Sequence, residues 1–281
     1  MTSLAVPNKG RLKEPSLRLL RDAGLDFEVT DRALAVSVRN VDLELMFVRA
    51  DDIPELVCDG AADAGITGVD LLEEHGNGLP HLVELGYGRC RLAAAVPTVS
   101  DVRTLADLAG ARVATAHPRT TEAFFRRAGI DAQVIALRGS VEVAPKIGVA
   151  DAIVDLVSTG STLRVNGLRE VGTILQSQAV LVAAPGAADR VDVHRIATAL
   201  RAVVDARTKR YLLLNAPAEA TERIAALIPG LEAPTVVPLA EEGWVAIHSV
   251  VDAAELWALL PRLEEAGGKG ILVSPIERLV P

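Results

Sequence analysis

The sequence contains few aromatic residues and few cysteines. Phe, Trp and Tyr make up only 3% of its 281 residues, although half of the chain is apolar. The core must therefore consist of Ala, Val, Leu and Ile, which favours buried parallel strands covered by helices. The two cysteines, Cys58 and Cys90, lie far apart without a C-x-x-C pattern. We expect two unpaired thiols and neither a disulfide nor a zinc site.

Positive charge is also scarce. The formal net charge of −8 argues against nucleic acid as a partner, because nucleic-acid-binding proteins need a basic face. The sequence shows no signal peptide and no apolar run long enough to cross a bilayer, so we expect a cytoplasmic protein without a membrane partner. It also lacks the G-x-x-x-x-G-K-[ST] motif, and no G-x-G-x-x-G motif follows a predicted strand.

The clearest chemical signal is a hydroxyl-rich turn between a predicted strand at 152–157 and a helix that starts near Leu163. The turn consists of Ser158, Thr159, Gly160, Ser161 and Thr162. Backbone N–H groups at such a junction form an anion site together with the helix dipole, and glycine lets a phosphate approach closely. The same cluster also occurs in simple N-capped connections.

Two carboxylates, Asp151 and Asp155, precede this turn. Acids beside a neutral hydroxyl loop suit a sugar phosphate with Mg²⁺ better than bare phosphate, because they can hold ribose hydroxyls or the metal ion. The alternative is that an acid in this strand faces solvent at the edge of a sheet. We predict a sugar-phosphate site with Mg²⁺ as cofactor, while the metal ligands stay unknown.

Three other predicted strands, at 4–6, 43–48 and 62–66, each end in a turn that leads to a helix. The charged residues in these turns are Lys9, Arg11, Arg49 and Asp70. Ligands bind at the carboxyl edge of open α/β sheets, although caps or surface ion pairs explain isolated charges as well. We therefore treat these four residues as candidates for the site.

The order of predicted elements changes after a long helix at 191–207. Before it, strands and helices alternate, which indicates two doubly wound α/β lobes. From about residue 210 the order is strand, helix, strand, strand, helix, strand, which is typical of a ferredoxin-like α+β domain. His248 in this domain is interpreted as a satisfied side chain and not as a metal ligand.

Four longer motifs follow one another along the chain. They are V-P-N-K-G-R-L (Val6 to Leu12), D-A-G-I-T-G-V-D (Asp63 to Asp70), R-G-S-V-E-V-A-P (Arg138 to Pro145) and D-A-I-V-D-L-V-S-T-G-S-T-L (Asp151 to Leu163). Together they resemble ATP phosphoribosyltransferase in its long form, which has a C-terminal regulatory domain. The resemblance extends over essentially the whole chain.

This resemblance implies a reaction and a domain arrangement. ATP and 5-phosphoribosyl 1-pyrophosphate would form N1-(5-phosphoribosyl)-ATP and pyrophosphate, the first step of histidine biosynthesis. The lobes would have the fold of a type II periplasmic-binding protein, with a catalytic cleft between them. Lobe I would comprise residues 1–89 and 178–209, lobe II residues 90–177, and the regulatory domain residues 210–281. Dimers and hexamers of this chain are also implied.

The resemblance also assigns residues to the cleft. The implied catalytic residues are Lys9, Arg11, Asp151 and Asp155. The implied substrate-binding residues are Arg49, Asp70, Glu142 and the turn residues 158–162. By itself, Glu142 would be an ordinary first-turn carboxylate of a helix capped by Ser140.

The C-terminal domain is implied to bind histidine, the end product, as an inhibitor. The implied contacts are Asn215, Leu231, Thr235, Gly270 and Ser274. Asn215 departs from the Asp expected at this position in some relatives, and an amide lacks the charge that would pair with the ammonium group of histidine. This departure concerns the affinity for the inhibitor and not the fold.

Two other functions fit part of this pattern. A two-lobed receptor would bind a small anion without catalysis, but we expect such a protein to carry a signal peptide or an N-terminal DNA-binding helix-turn-helix. A phosphoribosyltransferase for another base would use the same turn, because the turn recognises the sugar phosphate and not the acceptor.

Overall fold

The structure is a computed structural model that describes residues 1–30, 33–76 and 78–280. The chain divides into two compact units, one of Met1–Arg21 with Leu25–Ala197 and the other of Asp22–Gly24 with Thr198–Pro281. This division falls inside the helix predicted at 191–207 and thus before residue 210. The residue bounds of the three domains stay a prediction.

The regular elements of the N-terminal unit include eleven strands. In chain order they are β1 (Thr2–Pro7), α1 (Lys13–Asp22), β2 (Ala35–Ser37), β3 (Leu43–Val48), α2 (Ile53–Cys58), β4 (Ala64–Gly68), α3 (Val69–His75), β5 (His81–Glu84), β6 (Cys90–Pro97), β7 (Arg112–Thr115), α4 (Pro118–Ala128), β8 (Gln133–Ala136), β9 (Ala152–Val157), α5 (Ser161–Val165), β10 (Leu168–Ser177) and β11 (Ala179–Ala183). Short 3₁₀ helices occur at Ala106–Leu108 and Val141–Val143. The long helix α6 (Val191–Arg207) then continues into the C-terminal unit.

The first lobe contains a six-stranded sheet in the order β2-β3-β1-β4-β11-β5. The central strands β3, β1 and β4 are parallel, whereas β11 runs antiparallel to its neighbours. Every residue of β4 and β11 is buried, as expected for strands covered by helices on both faces. Helices α2 and α3 pack against this sheet.

The second lobe contains a five-stranded sheet in the order β10-β6-β9-β7-β8. Strands β7, β8 and β9 are parallel, and β6 is antiparallel to both of its neighbours. Side chains of β9 alternate between the two faces, with Ile153 and Val157 in one core and Ala152 and Val154 in the other. Asp155 consequently shares the face of Ile153 and Val157.

The C-terminal unit has a four-stranded antiparallel sheet. After α6 its elements are β12 (Lys209–Pro217), α7 (Thr221–Leu227), β13 (Thr235–Pro238), β14 (Trp244–Asp252), α8 (Leu256–Glu265) and β15 (Lys269–Pro275). The spatial order β13-β14-β12-β15 is that of a ferredoxin-like fold. Leu212 and Leu214 of β12 and Ile247 of β14 enter a core with Ile224 and Leu263 from the helices. The predicted fold class is confirmed in all three parts.

Two smaller predictions concern cysteine and membranes. Cys58 and Cys90 are both free, as the spacing predicts. Within the described part of the chain, no helix combines the length and the apolar character needed to cross a membrane.

Candidate active site

A cavity of about 760 Å³ opens where the carboxyl ends of strands from both lobes meet. Lining residues that follow strands of the first lobe are Lys9, Arg11, Arg49 and Asp70. In the second lobe, His117 and Arg138 follow strands, and Leu156 lies within β9. Parallel strands bring their carboxyl ends to one edge of a sheet, so turns far apart in sequence face one another here. The structure thus brings together four of the residues that the sequence predicts for the site.

Asp70 is the most deeply buried charged group of this cavity, with only 1% of its surface exposed. Its carboxylate accepts a hydrogen bond from the Ser177 hydroxyl and lies 3.4 Å from Nη2 of Arg11 and 3.8 Å from Nε2 of His117. Burial alone would raise the pKa of Asp70, but His117, Ser177 and Arg11 together hold that pKa below its usual value. Asp70 is therefore an anion with fixed partners.

Gly68 makes room for this carboxylate. A Cβ atom at Gly68 would collide with the Asp70 side chain, and Gly68 is the residue that precedes helix α3. The backbone N–H of Asp70 donates to Oγ of Ser177 at 3.0 Å. Strand β10, which ends at Ser177, therefore ties the second sheet to the start of α3.

Asp155 lies half-buried on β9 and differs from Asp70 in its surroundings. Burial raises its pKa and the nearby Glu142 carboxylate adds to this effect, whereas the Leu156 N–H at 2.7 Å and His117 oppose it. The net shift of the Asp155 pKa is upward. Asp155 is not among the described residues that line the 760 Å³ cavity, although the adjacent Leu156 lines it. A partly buried acid with a raised pKa beside a cavity is a candidate functional residue.

The hydroxyl loop, residues 158–162, is largely exposed at the end of β9. Gly160 has φ +73° and precedes helix α5, a conformation that glycine adopts without steric cost. Oγ1 of Thr159 lies 3.1 Å from Oγ of Ser161, and Ser158 lines a neighbouring cavity of about 530 Å³. Because α5 has only five residues, hydroxyl and backbone N–H groups of the loop itself are its main donors.

Two arginines that were not predicted from the sequence bind carbonyl groups of the loop. Arg91 forms a bidentate ion pair with Glu170, with Nε to Oε1 at 2.8 Å and Nη2 to Oε2 at 2.6 Å, and its Nη1 donates to the Ser158 carbonyl at 3.3 Å. Arg164 donates to the Thr159 carbonyl, also at 3.3 Å. The Arg91 guanidinium holds the pKa of Glu170 below its usual value.

The structure does not bring Asp151, which was predicted as catalytic together with Asp155, to the hydroxyl loop. Asp151 precedes β9 and therefore lies at the amino end of that strand. The six residues of β9, at roughly 3.3 Å each, put about 20 Å between Asp151 and the hydroxyl loop. Asp151 instead pairs with Arg112 at 2.9 Å and accepts its backbone N–H, which lowers the pKa of Asp151.

His117 and Arg138 also line the cavity but were not predicted from the sequence. His117 is 6% exposed, and its buried Nδ1 has no partner among the described residues. Its position in the sequence could have indicated it, because His117 lies between strand β7 and a helix that starts at Pro118. Several of the predicted site residues likewise lie between a strand and a helix. Arg138 opens the R-G-S-V-E-V-A-P motif, of which only Glu142 was assigned to the site.

Ser140 does not cap the short helix that follows it. Its side chain makes no capping hydrogen bond, and its φ of +50° is the one positive φ among the described non-glycine residues. Such a backbone conformation is uncommon outside glycine. This turn brings Glu142 into the electrostatic surroundings of Asp155.

The residues at this site fit a magnesium ion only in part. Within residues 1–30, 33–76 and 78–280 no group of three His, Cys, Asp or Glu side chains could hold a metal ion. Asp155 and Glu142 nevertheless supply the carboxylate oxygens that Mg²⁺ prefers, and Mg²⁺ is commonly held by one or two carboxylates together with substrate phosphates. The donor set therefore fits an ion that arrives with a phosphorylated substrate.

A separate pocket of about 500 Å³ lies in the C-terminal unit. Leu231 and Thr235, both predicted, line it together with Tyr211 and His248. His248 is satisfied as predicted, because its Nδ1 lies 2.6 Å from the Tyr211 hydroxyl. Of the other predicted contacts, Asn215 and Gly270 belong to β12 and β15 and are not among the described lining residues, and Ser274 pairs with Tyr211 across the sheet.

Comparison with known proteins identifies the family. A profile described as ATP phosphoribosyltransferase matches residues 49–202, and one described as the C-terminal domain of HisG matches residues 206–278. A protein of Gemmatimonas aurantiaca called ATP phosphoribosyltransferase is 47% identical over 293 residues and covers 100% of both chains. The chain belongs to the ATP phosphoribosyltransferase family. A relative of the same name from Methanothermobacter thermautotrophicus is 46% identical, with 99% of each chain covered.

Solved structures agree with this membership. A chain of the ATP phosphoribosyl transferase (HisG:HisZ) complex from Thermotoga maritima matches with a TM-score of 0.63 and 30% identity over 73% of this chain and 98% of that one. Tv2483 bound to L-arginine matches with a TM-score of 0.52 over 74% of this chain and 86% of that one, but its 16% identity indicates the fold alone. The resemblance to the long form is confirmed, and the chain is a pentosyltransferase of the first step of histidine biosynthesis.

Proposed function

We propose that the chain transfers the 5-phosphoribosyl group of 5-phosphoribosyl 1-pyrophosphate to N1 of the adenine of ATP. The N1 lone pair forms the new bond to C1 of the ribose while the bond from C1 to pyrophosphate breaks, and its electron pair leaves with pyrophosphate. The observation that carries this proposal is that cations from both lobes, Lys9, Arg11, Arg49 and Arg138, line one cavity in a member of the ATP phosphoribosyltransferase family. Leu156, two residues before the hydroxyl loop, lines the same cavity.

The cations of the cavity suit the phosphates of ATP and pyrophosphate. Lys9, Arg11, Arg49 and Arg138 surround about 760 Å³ in a chain with a net charge of −8. This volume is within the usual range for small-molecule sites. Arg11 is bound to Asp70, so its guanidinium is fixed in place before an anion binds. Three carboxylates, Asp51, Asp70 and Glu74, also line the cavity, so its four cations leave a small excess of positive charge where anionic substrates would bind.

The hydroxyl loop would hold the 5-phosphate of the donor. Arg91 and Arg164 bind the carbonyl groups of Ser158 and Thr159. In a trans peptide the N–H points opposite to the carbonyl, so the N–H groups of Thr159 and Gly160 point away from these arginines and toward a ligand in the loop. The exposed hydroxyls of the loop add further donors.

Catalysis would rest on position and electrostatics. As pyrophosphate leaves, C1 of the ribose gains positive character, and a nearby carboxylate stabilises that charge. Asp155, with Glu142 beside it, would hold the ribose hydroxyls and fix C1 against N1 of adenine. Mg²⁺ on Asp155 and Glu142 would neutralise charge on the pyrophosphate group. Asp151 has no part in this proposal, because it lies at the opposite edge of the sheet.

The reaction is tested by mixing purified full-length protein with ATP, 5-phosphoribosyl 1-pyrophosphate and Mg²⁺. Pyrophosphatase removes one product, and the ultraviolet absorbance of N1-substituted adenine reports the other. Formation of this product supports the proposal. Tight binding of the donor without product from ATP would refute ATP as acceptor but keep the loop assignment. Absence of both product and binding would refute the enzymatic proposal altogether.

We also propose that histidine inhibits the enzyme through the C-terminal unit. Leu231 and Thr235 line a pocket of about 500 Å³ there, and the Tyr211 hydroxyl and His248 imidazole supply polar groups. Calorimetric titration with histidine tests this part, and Thr235→Val should weaken binding without a change in uninhibited turnover. Dimers and hexamers of the chain are likewise proposed, and light scattering on the purified protein tests them.

A further inference from the structure

Helix α4 of the second lobe begins with backbone N–H groups that its own residues do not cap. Its N-cap residue, His117, makes no capping hydrogen bond. The acceptor comes from the first lobe, where the Glu74 carboxylate on α3 receives the N–H of Arg119 and the N–H of Thr120, both at 3.0 Å. It also receives the Thr120 hydroxyl at 2.9 Å. A carboxylate at the start of a helix is favoured by the helix dipole.

Arg119 makes the return contact from the second lobe. Its Nη1 donates to the carbonyl of His75, the last residue of α3, at 2.7 Å. A cation at the end of a helix is again favoured by the dipole. Gly76 keeps this approach open, because a Cβ atom there would come within 2.9 Å of the Arg119 guanidinium. We call these four bonds the reciprocal cap, since each helix end is capped by the other lobe.

The reciprocal cap borders the proposed active site. Glu74 and His75 line the 760 Å³ cavity together with Asp70 and His117. Asp70 precedes Glu74 by one turn of α3, and His117 immediately precedes α4. The cap therefore joins the carboxyl end of α3, whose first turn carries Asp70, to the start of α4, which follows His117. His117 lies 3.8 Å from Asp70 in this arrangement.

We propose that Glu74 and Arg119 are positioning residues that hold the two lobes closed and keep His117 against Asp70. All four bonds cross between the lobes, so every one of them breaks when the lobes part. The role in turnover depends on the proposed function, whereas the role in lobe closure does not. Single capping interactions are modest in strength, so this contact is suited to open and close during turnover.

The first test measures the distance between the lobes. Labels are attached to cysteines placed at the exposed Val41 of the first lobe and Val99 of the second, in full-length protein in which Cys58→Ser removes the more accessible native thiol. We expect Glu74→Ala and Arg119→Gln each to shift the inter-label distance to longer values. Because both act on one closed state, the double variant should shift little further than Glu74→Ala alone.

Asp107 provides a matched control inside the second lobe. Its carboxylate also accepts two backbone N–H groups and a threonine hydroxyl, from Arg103 and Thr104, at 2.9, 2.9 and 3.1 Å. Asp107→Ala should lower thermal stability but leave the inter-lobe distance unchanged. If Glu74→Ala does not fold, Glu74→Gln, which keeps the shape but loses the charge, replaces it.

The second test uses steady-state kinetics. We expect Glu74→Gln to raise the KM for ATP by about 10-fold with a change in kcat of about 2-fold, because the cleft must close before chemistry. Unchanged distances in both the Glu74 and the Arg119 variants would overturn the proposal. Lengthened distances in a protein that makes no N1-substituted ATP would keep the reciprocal cap and refute the proposed reaction instead.

Discussion

The junction between β4 and α3 and the junction between β9 and α5 each follow the carboxyl end of a strand and have related sequences, T-G-V-D and S-T-G-S-T. In the first, the Asp70 carboxylate is buried and bound to Ser177 and Arg11. In the second, the hydroxyls of the loop are exposed, and the arginines beside them bind loop carbonyls instead. A junction that holds its own carboxylate contributes to the fold, whereas a junction left open is available to a ligand.

Asp70 and Asp155, the acids nearest these two junctions, have opposite pKa shifts. The pKa of Asp70 is lowered, and that of Asp155 is raised. A lowered pKa stabilises the fold above the unfolded value of 3.8, and this contribution is lost as pH falls through the folded pKa. A raised pKa has the opposite sign, because its contribution is present below 3.8 and is lost as pH rises through the folded pKa. The two acids should therefore affect stability oppositely at neutral pH.

The largest effect is expected for Asp155→Asn. Loss of this charge should lower kcat/KM by about 100-fold, since the ribose is no longer fixed against the acceptor. The same change should stabilise the protein at neutral pH, because it removes an anion that burial disfavours. Initial rates and urea denaturation measure the two effects.

The difference in stability between Asp155→Asn and wild type should become smaller as pH falls, because wild-type Asp155 then becomes protonated. Glu142→Gln is the matched control, since it removes the neighbouring charge and should lower the pKa of Asp155. A variant that is both active and less stable would contradict the proposed role of Asp155.

Asp70→Asn should have the opposite effect on stability. It should lower the free energy of unfolding by about 2 kcal/mol at neutral pH, because Ser177, Arg11 and His117 lose a charged acceptor. Urea denaturation at neutral pH and at about pH 3 should show this difference shrinking in acid. Ser177→Ala removes one donor only and should cost less. A difference that stays constant with pH would contradict the assignment of a low pKa to Asp70.

Gly160→Ala tests the open junction. Alanine at φ +73° is strained by about 1 kcal/mol, and its Cβ would lie 3.4 Å from Nη1 of Arg164. The loop should shift, and the affinity for 5-phosphoribosyl 1-pyrophosphate should fall by about 10-fold while ATP affinity stays within about 2-fold. Calorimetric titration measures both affinities. Gly186→Ala has a similar φ of +80° outside the site and serves as a control for strain alone.

Arg91→Lys tests whether Arg91 orients the hydroxyl loop. Lysine keeps the charge but cannot bind Glu170 with two parallel bonds and the Ser158 carbonyl with a third. We expect the KM for the donor to rise about 5-fold with kcat nearly unchanged, because the loop loses orientation and not chemistry. Steady-state kinetics with each substrate varied measure this split. An equal rise in the KM for the donor in the control variant Arg103→Lys would indicate a non-specific effect.

Much of the fold follows from hydrophobic patterning. The bounds of β3, β9 and α6 match the predicted strands and helix to the residue, since each is a mostly apolar or amphipathic run. Strand β10 was not predicted. It contains Gly172 and two irregularities in its register with β6, so its side chains do not alternate as those of a regular strand do. Gly172 is also where a Cβ would press on Leu105, a constraint that only tertiary packing reveals.

The site is less predictable than the fold, because its residues act through partners distant in sequence. Lys9 and Asp70 follow strands and are found by position alone. Ser177 bonds Asp70 across 107 positions, and Glu74 caps a helix 45 residues away, so neither has a local signal. The predicted strand at 152–157 already separates Asp151 from the hydroxyl loop, but the partner of Asp151, Arg112, lies 39 positions away and has no local signal.

The smallest effect is expected for Asp151→Asn. Asp151 and Asp155 share the motif D-A-I-V-D, yet Asp151 binds Arg112 at the amino edge of the sheet, about 20 Å from the loop along β9. The turnover and donor affinity of Asp151→Asn should therefore stay within about 2-fold of wild type. Its stability should change little as well, since exposed ion pairs contribute little to stability. Assays run in parallel with Asp155→Asn make the comparison direct, because the two substitutions are chemically identical. A loss of activity in Asp151→Asn as large as that in Asp155→Asn would mean that the amino edge of β9 takes part in catalysis. The difference between a junction that holds its own carboxylate and one left open would then no longer explain the site.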